Sequence, residues 1–270
     1  MTKTTAWSTV ARVVAWNIRA GGGARVDAIA AQLARWAPDV VALSEFRGTE
    51  PSLRLADRLA GRGLVHQITS ANRRQPNLNA LLVASRWPLA RVRMSCAPVD
   101  CRWVLATVQA PIPFGVGAMH VPNRVSGRKY VFLDAVLEVA RRWKRGPALL
   151  AGDTNSGRRT IDEEVPAFSA REEGWIDALA GCGWADAFRV LAGRRRAYTW
   201  YSPNGRNGFR IDQAFVNAAL LSHVRRARYV WARDARTTRL DAVSDHAALV
   251  LELDLAGTTN GGPPIKETIA

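Results

Sequence analysis

The sequence predicts an α+β sandwich, two packed sheets with helices on their outer sides. Apolar runs of strand length outnumber amphipathic stretches, and helical segments interrupt them in both halves of the chain. No repeat or low-complexity linker divides the 270 residues before Gly257. A single domain is expected over residues 1–256. The Gly/Thr/Pro-rich tail GTTNGGPPIKETIA, residues 257–270, is expected to be disordered.

The elements follow in order. Thr9 to Asn17 alternates as a strand, and Val26, Ile29, Ala30, Leu33 and Ala37 then recur at helical spacing until Pro38 stops the helix. Asp39–Ser44 reads as a buried strand and Leu53–Leu59 as a helix. Strands are expected over Leu64–Ile68, Asn79–Ser85, Val92–Ala97, Trp103–Ala110 and Gly115–His120. A long helix, Gly127–Arg145, has Ser126 as a possible N-cap. Arg141, Arg142, Lys144 and Arg145 suit its negative end, and Gly146-Pro147 closes it. The second half adds a strand at Ala148–Ala151, a helix at Glu172–Gly181, and strands at Tyr198–Tyr201, Ile211–Val216, Val224–Val230 and Ala247–Leu253.

Composition narrows the partners. The formal net charge is +15, carried by 34 arginines and four lysines. The guanidinium is a planar fork suited to phosphate oxygens, so this excess favours a polyanionic partner. A codon bias towards Arg and Ala gives the same composition, and charge alone assigns nothing. No window of eighteen apolar residues occurs, so no membrane span is expected, and the N-terminal stretch lacks a secretory pattern. Three cysteines without a CxxC are too few and too odd in number for a disulfide framework; reduced thiols and a cytoplasmic location are expected.

Polar residues recur where buried strands end. "VVAWN" ends in Asn17, "VVALSE" in Glu45, "GVGAMH" in His120, and "LLAGDTN" presents Asp153 and Asn155. "GFRID" places Asp212 at a strand start, and "VSDHAALVLEL" sets Asp245 and His246 ahead of the last strand. A rigid sheet positions catalytic groups at such places. One polar residue ending a strand is usually a turn or cap; eight that fit one chemistry are a set. Were the GDTN segment extended, Asp153 and Asn155 would face the same side.

These blocks, in this order, resemble the endonuclease/exonuclease/phosphatase superfamily from about Val13 to Leu253. Trp175, Asp177, Leu179, Gly183, Asp186, Phe188 and Arg189 make the likeness closest to the exonuclease III/AP endonuclease branch. The resemblance implies a four-layer αββα sandwich with the active site at one edge of the two sheets, and divalent-metal-dependent hydrolysis of a phosphodiester. It implies Mg²⁺ (or Mn²⁺) held by Glu45, with Asn17 and Asp245 completing or flanking the site. His246, oriented by Asp212, or else Asp153, would be the general base. Asn155 and His120 would donate to the phosphate, to Asp153 or to the leaving oxygen.

The segment "AYTWYSPNGRNGFRID" interleaves rings with arginines. Trp200, Phe209, Arg206 and Arg210, together with Arg158, are expected to bind nucleic acid. Core aromatics beside a solvated basic loop would read the same way.

The expected activity is a DNA-repair nuclease acting as a monomer on duplex DNA. The alternatives are a phosphoesterase acting on inositol phosphate, a phospholipid headgroup or RNA, and a catalytically silent nucleic-acid-binding module. Four features depart from the branch: His120 stands where it usually carries Tyr, "SEFR" replaces Gln-Glu-Thr-Lys, Arg19 stands where an acid often follows Asn17 by two, and Ser202–Gly205 replaces Asp-Tyr-Arg.

Overall fold

A computed structural model describes residues 10–232 and 242–256. The tail expected to be disordered, 257–270, lies outside the described residues, as does Thr9 of the first predicted strand.

The first sheet contains β1 (Val10–Asn17), β2 (Val40–Phe46), β3 (His66–Thr69), β4 (Ala80–Ser85), and, from the far end of the chain, β13 (Val224–Val230) and β14 (Ala248–Asp254). Its order is β13-β14-β1-β2-β4-β3. The second sheet has the order β5-β6-β7-β8-β12-β9, built from Leu89–Arg91, Trp103–Val108, Phe114–His120, Ala148–Asp153, Asp212–Asn217 and Trp184–Asp186. In each sheet one parallel pair, β1 with β2 and β7 with β8, stands among antiparallel neighbours. A small hairpin, β10 (Trp200–Tyr201) with β11 (Gly208–Phe209), lies apart from both.

Strand alternation accounts for the layers. In β1, Val13 and Ala15 face the second sheet, in one buried cluster with Val104, Val116, Ala118 and Leu149. Val14 and Trp16 point the other way, onto α1 (Val26–Trp36) and α2 (Glu50–Ala60). On the outer face of the second sheet, Leu105, Met119, Leu150 and Phe215 pack under α3 (Lys129–Arg142) and α4 (Ala170–Gly181). Both sheets are therefore apolar on both faces, as a helix–sheet–sheet–helix stack requires. The predicted sandwich is the observed one.

Several expectations need correction. Val92–Ala97 is not a strand. Pairing with β6 ends at Arg91, and only the Val92 N–H continues it, to Leu105 O at 2.8 Å. Val92, Met94 and Cys96 still alternate onto the core, which produced the strand-like pattern. Ser126 does not cap α3; it closes a short 3₁₀ turn whose own cap is the Asn123 side chain, and the helix starts at Lys129. Strand β9 and two short helices, α5 (Ala187–Ala192) and α6 (Ala218–Leu221), were not expected, being too short to show a period.

Gly152 is a position the fold cannot share. Its φ is 144°, and an added Cβ would lie 1.9 Å from the Met119 carbonyl oxygen of the neighbouring parallel strand. Only glycine lets β8 lie this close to β7 one residue before Asp153.

Candidate active site

Register gathers the second sheet's contribution. His120 on β7 is opposite Asp153 on β8, and Asp153 is opposite Asp212 on β12, so three polar side chains stand side by side across three strands. From the first sheet come Asn17 at the end of β1 and Glu45 on β2, and the segment before β14 adds His246. The Asn17 amide donates to Asp153 Oδ2 (3.1 Å) and to Glu45 Oε1 (3.2 Å), tying the two sheets together. His120 Nε2 lies 3.7 Å from Asp153 and 4.0 Å from Glu45. His246 Nδ1 is 2.9 Å from Asp212 Oδ2, and its Nε2 is 4.0 Å from Asp153 Oδ2.

Local backbone holds these groups in place. A register shift between Ser44 and Phe46 puts Glu45 in the left-handed region at φ 58°, one of several such residues here with Arg19 (55°), Ala20 (51°) and Asn155 (45°). Non-glycine residues rarely adopt this conformation and keep it only where their surroundings fix it. The turn after β1 supplies that fixing: Ala20 N–H donates to Glu45 Oε2 (2.7 Å) and Gly21 N–H to the Glu45 carbonyl (2.8 Å). Ser244 Oγ donates to Asn17 O at 2.6 Å and accepts from His246 N–H at 3.2 Å, and Trp16 Nε1 donates to His246 O. Thr199 Oγ1 accepts the N–H groups of Ile211 and Asp212, fixing the start of β12.

The electrostatics separate the roles. Burial works against the charge of His246, but Asp212 outweighs it by charge and hydrogen bond, and Asp153 and Asp245 add to it; His246 is pushed up to about 10. Asp153 is raised, chiefly by burial. Burial lowers His120, so this ring is neutral at pH 7, and its buried Nδ1 has no partner. For Glu45 burial alone would raise the carboxyl, but the Ala20 N–H, His120, Asn17 and His246 together bring it below its ordinary value. In the metal-free protein, Asp212→Asn is expected to move the His246 titration well down from its alkaline wild-type value, because burial then meets only Asp153 and Asp245. Imidazole NMR signals followed against pH will show this; a His246 that still titrates near 10 in the variant rules out Asp212 as the cause.

The structure places the remaining expected residues as follows. Asp245 sits at the rim, 41% exposed in its side chain, with Arg19 Nε 3.9 Å away. Asn155 does not share a face with Asp153 through extended alternation. The chain turns after Asp153, Asn155 N–H donates to Asp153 Oδ1 (2.9 Å), and its side-chain amide donates to Val121 O (2.8 Å). Trp200 lies beside the site: its backbone bridges to that of His246, and their rings are 6.3 Å apart. Phe209 is buried against Trp200 and Phe168. Arg206 is exposed in the hairpin turn, and Arg158 pairs with Asp177 at 2.6 Å.

Arg210 corrects the expectation. It is fully buried, and its guanidinium is bound to Asp162, Asp186 and the Tyr229 hydroxyl, so it presents nothing to a phosphate at the surface. Asp186, which Arg210 also binds, has a second role. Its Oδ1 caps α5, while Arg189 bonds to Asp162.

Sequence reasoning missed a buried network next to Asn155. The Lys129 ammonium donates to the Asn155 carbonyl and to Glu172, and Glu172 also takes Arg124 and the Ser169 backbone. A capping box, Ser169 with Glu172, was the signal that could have found it.

Among the described residues, two places are chemically suited to a cation. Ligand atoms of Asp153, Asp212 and His246 lie within 4.8 Å of one another, but Asp212 and His246 are already bonded together. Glu45 is better suited: it is anionic at neutral pH, one-fifth exposed at the mouth, and in contact with the Asn17 amide.

The sequence matches the profile of the Endonuclease/Exonuclease/phosphatase family over residues 14–246. The chain belongs to this family. No curated protein sequence matches it. Among solved structures, the 3′ phosphatase NExo from Neisseria, bound to a product DNA hairpin, aligns over 90% of this chain and 99% of its own, with TM-score 0.71 and 21% identity. An AP endonuclease from Archaeoglobus fulgidus covers the same shares with TM-score 0.73 and 18% identity. An AP endonuclease from Leishmania major aligns over 91% of this chain and 88% of its own, with TM-score 0.71 and 16% identity. These likenesses establish that the family member has the fold of exonuclease III/AP endonuclease-type nucleases.

Proposed function

We propose that the protein is a divalent-metal-dependent DNA phosphodiesterase of the exonuclease III/AP endonuclease type, acting on duplex DNA in the cytoplasm as a repair nuclease. The observation that carries the reading is the convergence of Asn17, Glu45, His120, Asp153, Asp212 and His246, from both sheets, into one contiguous group of side chains. The net charge of +15 and the aromatic surface at Trp200 beside His246 support a nucleic-acid substrate. So does the DNA hairpin in the Neisseria 3′ phosphatase structure.

Glu45, with Asn17 beside it, would hold Mg²⁺ or Mn²⁺; such a cation neutralises phosphate charge and makes bound water more acidic. His246, cationic through Asp212, donates from Nε2 to a phosphoryl oxygen and stabilises the charge that develops there. Asp153, raised by burial and 4.0 Å from that nitrogen, takes the proton of the attacking water. Asn155 orients Asp153 through its backbone N–H. His120, neutral, faces both carboxylates.

The test is a substrate panel with and without chelator: an abasic-site duplex, a 3′-blocked duplex, intact plasmid, RNA, and small phosphodiesters including inositol phosphates. Chelator-sensitive cleavage of a DNA substrate is expected. Turnover confined to RNA or to the small phosphoesters would reassign the substrate, and no turnover of any of them removes the proposal. Glu45→Gln is expected to raise the metal concentration for half-maximal activity by about tenfold or more, the scale of losing one carboxylate charge. A metal titration of both proteins checks it.

A further inference from the structure

A second hollow beside His246 has no part in the reading so far. It holds about 220 Å³ and shares Trp200 as a wall with the hollow of about 230 Å³ that Phe209 and Asn155 line. Among the described residues, its walls include Arg19, Tyr201, Trp231, Ser244 and Asp245. Enclosed sites for drug-sized ligands run to roughly 300–1,000 Å³, so this one suits a single ring system.

Its chemistry is aromatic and cationic. The rings of Tyr201 and Trp231 are 6.1 Å apart and inclined at 37°, which presents an aromatic wall. Arg19 stands next to it. Its backbone is fixed: the N–H donates to Asn17 Oδ1 at 3.0 Å, and the carbonyl accepts from Gly22 N–H at 3.1 Å. Its side chain is 61% exposed, and Asp245, at 3.9 Å, is close to the outer limit of an ion pair. A pinned backbone with a solvent-facing guanidinium, next to half-buried rings and the imidazole of His246, is the combination that binds an unpaired nucleotide, with the base on the rings and the phosphate on the arginine.

We propose that this hollow is a stacking subsite for an unpaired nucleobase next to the cleaved phosphate, with Trp231 as its platform and Arg19 on the adjoining phosphate. The proposal rests on the function proposed above. It makes the enzyme prefer ends or sites where the neighbouring nucleotide is frayed or single-stranded over fully paired duplex.

The experiment uses the full chain, chelator to prevent cleavage, and oligonucleotides carrying 2-aminopurine beside the cleavage position, either unpaired or paired. Quenching of the unpaired probe is expected with the wild type. Trp231→Ala is expected to abolish it and to weaken binding by roughly 5- to 150-fold, the range for loss of one stacked base. Trp231→Phe, which keeps a ring, restores most of the affinity. Arg19→Gln, at an exposed site that folding does not need, weakens binding and lowers the salt slope by about one. Equal affinity and quenching in wild type, Trp231→Ala and Arg19→Gln would overturn the subsite while leaving a DNA-cleaving enzyme intact. A wild type that neither binds nor cleaves any nucleic acid overturns the subsite and the proposed function together.

Discussion

His246→Ala is expected to lower turnover of the cleaved substrate by about 10²–10⁴-fold, and the thermal midpoint with it because Asp212 stays buried without its partner; Asp153→Asn is expected to lower turnover as much. Both side chains are buried at the cleft, and their nearest atoms are 4.0 Å apart. His246 is the group whose charge is secured, by Asp212 at 2.9 Å; Asp153 is the carboxylate that burial leaves most ready to accept a proton. Removing either leaves the other without its partner in the reaction, so the double variant should be scarcely slower than either single one. Asp212→Asn acts through His246 and through its neighbour Asp153, and should cost less than His246→Ala. Single-turnover rates at saturating metal measure all four. A near-normal rate in either single variant excludes the assigned role.

Arg210→Met is expected to produce the largest loss of stability, about 3–5 kcal/mol, because it leaves Asp186 buried without its counter-charge and Asp162 with Arg189 alone. In a chain of this size that lowers the midpoint by roughly 10 °C. Thermal denaturation checks it, and an unchanged midpoint would show that the guanidinium is not needed inside.

The same pairing predicts an acid transition. Burial alone would raise the Asp162 carboxyl, but Arg210, with Arg189 and the Arg158 N–H, holds the group below its ordinary value. A carboxyl whose folded value is depressed stabilises the fold fully above its unfolded value, about 3.9, and that contribution is lost as pH falls through the folded value. Wild type should therefore lose stability steeply below about pH 4, and Arg210→Met should show a shallower acid limb.

The ends of strands were legible because each couples an apolar run to an abrupt polar residue; Asn17, Glu45, His120, Asp153, Asp212 and His246 were all found that way. Their convergence depends on strand order, which local pattern does not encode. Nothing near Asp153 announces that β12 returns antiparallel and sets Asp212 against it. Asn155 was placed on a shared face by assuming extended backbone, and its left-handed φ of 45° shows the limit of that assumption. Arg210 looked like a phosphate ligand because its surroundings are rich in Arg and aromatics. Its partners Asp162 and Asp186 stand 48 and 24 residues away, so burial was invisible to spacing. Lys129 and Glu172 were missed for the same reason: each reads as an ordinary charged helix position until α3 and α4 meet.

Strand order also constrains when the molecule can become an enzyme. The interior strand β14 inserts between β1 and β13, so β1 must wait for a strand made more than 200 residues later before its open edge is closed. His246 arrives just ahead of β14, and a partly made chain holds Asn17 and Glu45 without it. A chain that stops before β14 consequently lacks a complete site, and it leaves an unpaired apolar edge for chaperones and proteases to recognise.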